Sequence, residues 1–150
     1  MSDIITIEVA TAKDIPALRP FLLELMEATE NTEGFEMETA LQNCARLLEN
    51  PESYILLAKE YGRVVGFINF TTRRTILHPA PSGLIDELVV TKDSRNKGVG
   101  RQLIQAVIDR CKEMGCCEVE VSTEQSNVKA QEFYKACGFE ADALLFEIET

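Results

Sequence analysis

The sequence has no tryptophan and one histidine, His78, and its five cysteines occupy positions 44, 111, 116, 117 and 137. An odd number of cysteines with a lone histidine matches no zinc-ligand spacing and no disulfide framework. We therefore expect reduced thiols, no bound metal and a cytoplasmic location. The adjacent pair Cys116–Cys117 is the one candidate for redox chemistry.

Long apolar runs and positive charge are also scarce. No run approaches the ~20 apolar residues that span a bilayer, and Met1–Ala10 lacks a basic stretch followed by an apolar block, so we expect no membrane contact and no signal peptide. The chain has 15 Lys and Arg against 25 Asp and Glu, a net charge of −10, which argues against nucleic-acid binding. Its 150 residues fit one domain, 1–150.

Hydrophobic periodicity predicts a mixed α/β fold in the order β–α–α–β–β–β–α–β–α–β. The third long strand, the helix after it and the next strand form a βαβ unit, so those two strands should be parallel, whereas the other pairings should be antiparallel, with helices on both faces. The predicted strands are Ile5–Val9, Tyr54–Ala58, Val64–Phe70, Leu84–Val90 and Glu118–Ser122, with a terminal strand or hairpin in "GFEADALLFEIE".

A glycine loop, "RNKGVG" (Arg95–Gly100), lies between the strand Leu84–Val90 and a long amphipathic helix. Helix N-termini bind anions through unpaired N–H groups and the positive dipole end, and Gly98 and Gly100 would let an anion approach the backbone. Residues 92–113 carry a net charge of +3 in this acidic chain. The loop therefore indicates a phosphate or pyrophosphate site, although it is neither a P-loop nor a dinucleotide fingerprint.

Two motifs together resemble the GNAT superfamily of N-acetyltransferases. Arg95-x-x-Gly98-x-Gly100 is similar to its acetyl-CoA motif, [QR]-x-x-G-x-[GA], and "NVKAQEFYKACGF" is similar to its second signature through Asn127, Tyr134, Gly138 and Phe139. The resemblance covers nearly the whole chain and implies a GNAT-like fold with a splayed parallel strand pair. It also implies acetyl-CoA as co-substrate, bound by Leu88, Val89, Val90, Arg95, Asn96, Lys97, Gly98, Val99, Gly100, Arg101 and Asn127.

The resemblance further implies direct acetyl transfer to an amine, with pantetheine along Leu88–Val90 and a backbone N–H there stabilising the oxyanion. A base must deprotonate the amine, and Asp86, Glu87 and Glu120 are the candidates; a water chain is the alternative. Strand alternation would place Asp86 and Glu87 on opposite faces, so at most one should face the thioester. Tyr134 resembles the family's general acid.

The sequence gives less information about the chemical identity of the acceptor. Segment Thr29–Thr39 carries Glu30, Glu33, Glu36 and Glu38 without a positive charge, which suits a polyamine, an aminoglycoside or a protein amine, but also a solvated loop. Two rival functions are a non-catalytic acyl-CoA-binding sensor or partner module and a nucleotide-binding regulatory domain. Because only 11 residues follow Phe139, where the family usually has two longer strands, we expect "ALLFEIE" to pair across the two-fold axis of a homodimer.

Overall fold

A computed structural model of the protein describes residues 4–29 and 33–150. Its strands are β1 (Ile5–Val9), β2 (Ser53–Glu60), β3 (Arg63–Arg73), β4 (Ser82–Val90) and β5 (Glu118–Val121), and its α-helices are α1 (Arg19–Ala28), α2 (Met37–Glu49), α3 (Val99–Glu113) and α4 (Val128–Ala136). Short 3₁₀ helices span Ala12–Leu18 and Lys92–Ser94.

The five strands form one sheet in the order β1-β2-β3-β4-β5. The first three pairings are antiparallel, and β4 and β5, joined through α3, are parallel, which confirms the predicted mixed fold. Between β2 and β3, Tyr61 and Gly62 both adopt positive φ (51° and 76°), as the two-residue turn of a tight hairpin requires.

The predicted first helix is divided in two. Residues Ala12–Leu18 form a 3₁₀ helix that contains Pro16, and α1 begins only at Arg19, next to Pro20. Proline has no N–H to donate and clashes with the preceding turn of an α-helix, so a continuous helix from Thr11 would lose hydrogen bonds at both prolines. The start of this 3₁₀ helix is capped, because the Thr11 N–H donates to the Asp14 carboxylate at 2.8 Å.

Helices cover both faces of the sheet. On one face, α1 and α2 pack on a core that includes Phe21, Cys44, Ile55, Phe67 and Val89. Helix α3 packs against the strands β1 to β4 with a buried stripe at helical spacing. Successive side chains of a strand point to opposite faces, so the buried strand residues that alternate with those of the first core lie on this opposite face. The α3 stripe is Val99, Leu103, Ile104, Val107 and Cys111.

The chain divides into two compact units, residues 1–120 and 121–150. Within the second unit, α4 is followed by a segment, residues 139–150, that has neither helix nor strand. The predicted terminal strand or hairpin is therefore wrong for a single chain, because a strand needs a hydrogen-bonded neighbour and, within the described part of the chain, this segment forms no strand. Among the described residues, no helix is long and apolar enough to cross a membrane.

Candidate active site

The glycine loop adopts the backbone conformation that its sequence requires. Gly98 is the N-cap of α3 with φ of 82°, a left-handed geometry that only glycine adopts without cost, and Asn96 also has positive φ (65°). A side chain built on Gly98 would meet no atom within 4 Å. The first N–H groups of α3 have no partner within the helix and lie at the positive end of its dipole, as anion binding requires.

One edge of β4 is left open beside this loop. The Cys117 N–H donates to the Pro81 carbonyl at 2.9 Å, which sets the register of β5 along β4. Continuing this parallel register brings Glu120 level with Ile85, and β5 ends one residue later. Strand β4 continues to Val90, so its last residues extend beyond their neighbour on this side.

The hydrogen bonds of β4 show which backbone groups face that opening. The Thr91 N–H donates to the Val65 carbonyl at 2.9 Å, and the Glu87 N–H donates to the Asn69 side chain at 2.8 Å, so both point toward β3. Alternation in an antiparallel pair then turns the Leu88 and Val90 groups away from β3 and those of Val89 toward it. The Val90 carbonyl accepts from Arg95 Nε at 3.1 Å, and Leu88 offers an N–H to the opening.

A β-bulge places the two adjacent acids together. Asn69 pairs with Glu87 and Phe70 with Ile85, which leaves Asp86 as an extra residue in β4. A bulge interrupts the strict alternation of side chains, and Asp86 and Glu87 line the same cavity. The prediction that they point to opposite faces is therefore wrong, because it assumed a regular strand.

Both acids have environments that favour the neutral form. Burial raises the pKa of Asp86. Burial is also the largest effect on Glu87 and raises its pKa, a hydrogen bond from the Asn69 amide lowers it, and the charge of Asp86 raises it again. A carboxylate with a raised pKa is a stronger base than one in water, which suits proton abstraction from an ammonium group near neutral pH.

Glu120 has different neighbours. Its carboxylate lies 3.6 Å from the Arg73 guanidinium, and its pKa is raised first by a hydrogen bond shared with Glu118. Glu118 in turn accepts from Ser82 Oγ at 3.2 Å and lies 3.4 Å from His78 Nε2. Glu120 is not among the residues that line the cavity of Asp86 and Glu87.

Tyr134 and Asn127 lie in the second unit. The Asn127 side chain accepts from the Ala130 N–H at 3.1 Å and caps α4. The Tyr134 ring makes edge-on contacts with Phe133 and Phe139, at centroid distances of 5.4 and 5.9 Å. Burial raises its pKa, as does the neighbouring Cys137, so the phenol carries its proton at neutral pH. Its role as general acid remains a prediction.

Sequence reasoning missed Asn69, which holds the Glu87 backbone and bonds its carboxylate. Asn69 is the one polar side chain inside the apolar stretch "VVGFINF", and it is 5% exposed. Because buried amides require partners, its position in that stretch was the available signal. No group of three or more potential metal ligands occurs in the part of the chain that the structure describes.

Comparisons with known proteins agree with this geometry. The family described as "Acetyltransferase (GNAT) family" matches residues 17–139. YhfO of Bacillus subtilis, an uncharacterized N-acetyltransferase, is 28% identical over 133 residues, covering 89% of this chain and 88% of its own. The aminoalkylphosphonate N-acetyltransferase of Salmonella typhimurium is 28% identical over 137 residues, covering 91% and 86%.

A solved structure has the same fold. The aminoglycoside N-acetyltransferase AAC(6')-Iy in complex with CoA is similar with a TM-score of 0.85 and 21% identity, over 99% of this chain and 97% of that one. The family match covers most of the chain and includes the glycine loop and the Asn127–Phe139 signature. The chain therefore belongs to the GNAT family and is an acetyl-CoA-dependent acetyltransferase.

Proposed function

We propose that this protein transfers an acetyl group from acetyl-CoA directly to a primary amine of a small-molecule acceptor, and that this amine arrives as a cationic ammonium group. The observation that carries the proposal is the bulge in β4, which gathers two acids of raised pKa immediately before the open strand edge and the glycine loop. The base, the oxyanion donor and the phosphate site then follow one another along a single stretch, residues 86–101.

In this mechanism the loop residues 95–101 hold the phosphates of acetyl-CoA, and the open edge at Leu88 and Val90 pairs with pantetheine. Glu87 or Asp86 takes a proton from the acceptor ammonium, and the freed nitrogen attacks the thioester carbonyl. The Leu88 N–H stabilises the oxyanion, a contribution of about 3 kcal/mol in comparable sites. The C–S bond then breaks, Tyr134 donates its proton to the departing thiolate, and the second proton lost by the nitrogen as the amide forms returns to the Tyr134 phenolate through water.

The nature of the acceptor rests on two kinds of support. Two similar proteins are named for amines on small molecules: one is an aminoalkylphosphonate N-acetyltransferase, and the other is an aminoglycoside N-acetyltransferase. In the acidic segment 29–39, the Glu38 carboxylate is already paired with the Arg19 guanidinium at 2.7 Å. Glu30 lies outside the described residues. We therefore assign recognition of the ammonium to Asp86 and Glu87.

A homodimer in the cytoplasm completes the proposal. In segment 139–150, Leu144, Phe146 and Ile148 recur at every second position and are 72%, 86% and 89% exposed, and Leu145 between them is 67% exposed. The spacing of the first three is that of a strand with one apolar face. Pairing with a second copy would bury that face. All five cysteines are free thiols, which supports a reducing compartment. The family match spans both compact units, which supports one catalytic domain, 1–150.

The test is release of CoA thiol with acetyl-CoA and a panel of amines. Asp86→Asn, Glu87→Gln and Glu120→Gln are then compared by following kcat/KM against pH. The true base should lose the acidic limb of the profile. A non-catalytic acyl-CoA module would instead be stabilised by acetyl-CoA without amine-dependent thiol release, and if all three variants keep the limb, a water chain removes the proton.

A further inference from the structure

A cavity of about 400 Å³ lies beside the two acids, in the range of small-molecule sites. Helix α2 forms one of its walls. The wall residues recur at spacings of three and four and therefore share one face of the helix. They are Asn43, Arg46 and Leu47 of α2 and Asn50, the residue that caps its C-terminus, and three of the four can donate hydrogen bonds.

The opposite wall is negative. It consists of Asn69 on β3 and Asp86 and Glu87 on β4. Asn69 uses its carbonyl oxygen to accept from the Glu87 N–H and its amide group to bond the Glu87 carboxylate, so it offers little to a ligand. The cavity is therefore acidic on the strand side and rich in donors, with one full positive charge, on the helix side.

Arg46 is not the counter-ion of these acids. Among the described residues, no carboxylate lies within 4.0 Å of its guanidinium. A guanidinium beside Asp86 or Glu87 would lower the pKa of that carboxyl, whereas the pKa of each is raised and no effect of Arg46 contributes. The Arg46 charge is therefore available to a ligand.

Asn50 on the same wall also offers hydrogen-bond donors. Its side-chain oxygen accepts from the Glu52 N–H at 2.9 Å, which leaves its amide N–H groups as donors. An arginine fork binds carboxylate and phosphonate groups through two parallel hydrogen bonds. The helix wall therefore has the chemistry of an anion site, facing an ammonium site across one cavity.

We propose that the acceptor carries an anionic group, a carboxylate or phosphonate, a few bonds from its reactive amine, and that Arg46 binds this group while Asp86 and Glu87 bind the ammonium. This inference rests on the proposed function, since it places the acceptor amine at the same two acids. It narrows the acceptor from amines in general to short amino acids and aminophosphonates. Diamines and aminoglycosides, which have no anion for Arg46, become the poorer acceptors.

The test uses acceptors that differ only at the end remote from the amine. One series is 3-aminopropanoate, its amide and 1,3-diaminopropane, and a second is 6-aminohexanoate, its amide and 1,6-diaminohexane. We expect the carboxylate of at least one series to have the highest kcat/KM, and Arg46→Gln to lower that value about 10- to 100-fold, the usual weight of a charged hydrogen bond. Arg46→Gln should leave the amide unchanged.

A matched control removes the same charge elsewhere. Arg74 is exposed in the β3–β4 loop and lies outside the cavity, so Arg74→Gln should keep the preference for the carboxylate. Equal loss in both variants would mean that net charge, not Arg46, sets the preference, and would overturn the proposal. A diamine as the best acceptor in both series, or a carboxylate preference that survives Arg46→Gln, would overturn it as well.

A binding measurement distinguishes failure of this inference from failure of the proposed function. Calorimetric titration of the same acceptors into the CoA complex requires no turnover. Carboxylate binding that is weakened about 10-fold or more by Arg46→Gln supports the anion site even if no thiol is released, in which case only the proposed function fails. Thiol release with diamines alone, together with no measurable carboxylate binding, keeps the proposed function and contradicts the anion site.

Discussion

The exposed apolar face of the C-terminal segment gives a prediction about assembly. Phe146→Glu should convert the protein from a dimer to a monomer. Phe146 is 86% exposed and lies between Leu144 and Ile148 on the alternating apolar face. If this face pairs with a second copy, glutamate at its centre removes an aromatic contact and requires burial of a charge.

The magnitude follows from the exposed side chains. Fully burying a large apolar side chain contributes about 1.5–3 kcal/mol, so the three residues on both copies would contribute on the order of 10 kcal/mol before the costs of association. Those costs are about 4–15 kcal/mol, so the margin is narrow. Because two-fold symmetry counts the change twice, Phe146→Glu should cost at least ~4 kcal/mol, or about a thousandfold in dimer affinity.

Light scattering at micromolar concentration measures the outcome directly. Wild type should have about twice the chain mass of 16.8 kDa, and Phe146→Glu should have the mass of one chain. Ile76→Glu is the matched control, since Ile76 is fully exposed in the β3–β4 loop and its replacement should leave the dimer intact. A monomeric wild type would refute the reasoning, as would a dimer that survives Phe146→Glu.

Three further predictions concern the site. Acetyl-CoA should raise the melting temperature of the wild type but not of Gly100→Val, whose side chain would block approach to the first N–H groups of α3; an equal shift in a thermal-melt assay would place the cofactor elsewhere. Tyr134→Phe keeps the ring contacts and should lower kcat ~10²-fold with acetyl-CoA affinity unchanged, and a kcat within twofold of wild type would exclude the phenol as the acid. Glu87→Gln should stabilise the fold at neutral pH, because burial raises the native pKa of Glu87 above its ordinary 4.5. The native state therefore holds this proton more tightly than the unfolded state, and the wild type loses stability as the pH rises from 4.5 through the native pKa. Urea unfolding should show this gain above pH ~5 and not at pH ~3, and a gain that persists at the lower pH would contradict the account.

Patterns that repeat along the chain were readable from the sequence. The apolar runs of β2 and β3 and the helical stripe of α3 follow from local sequence patterns, and the glycine loop follows from the need for a left-handed backbone at Gly98. These elements fix the sheet order and the position of the glycine loop in the fold. The division of the first helix was not predicted, because Pro16 and Pro20 favour a 3₁₀ helix at its start and hydrophobic spacing does not distinguish a 3₁₀ helix from an α-helix.

The geometry of the candidate site depends on single residues whose positions cannot be predicted from hydrophobic periodicity. The extra residue at Asp86 is defined only by its register against β3, so alternation assigned the wrong faces. Asn69 and the α2 wall reach the acids through tertiary packing from distant positions in the chain. The C-terminal segment has the pattern of a strand but forms none in a single chain, and the second copy that we propose as its neighbour is not specified by a single sequence.

The most direct test of the central claim is mass spectrometry of the acceptor and the protein after reaction with acetyl-CoA. Direct transfer to an amine predicts one acetyl group on the acceptor nitrogen for each CoA released, with no acetyl on the protein and a much lower yield in a fixed time for whichever of Asp86→Asn and Glu87→Gln removes the base. CoA release without an acetylated amine, or an acetyl group that accumulates on a cysteine of the protein, would contradict it.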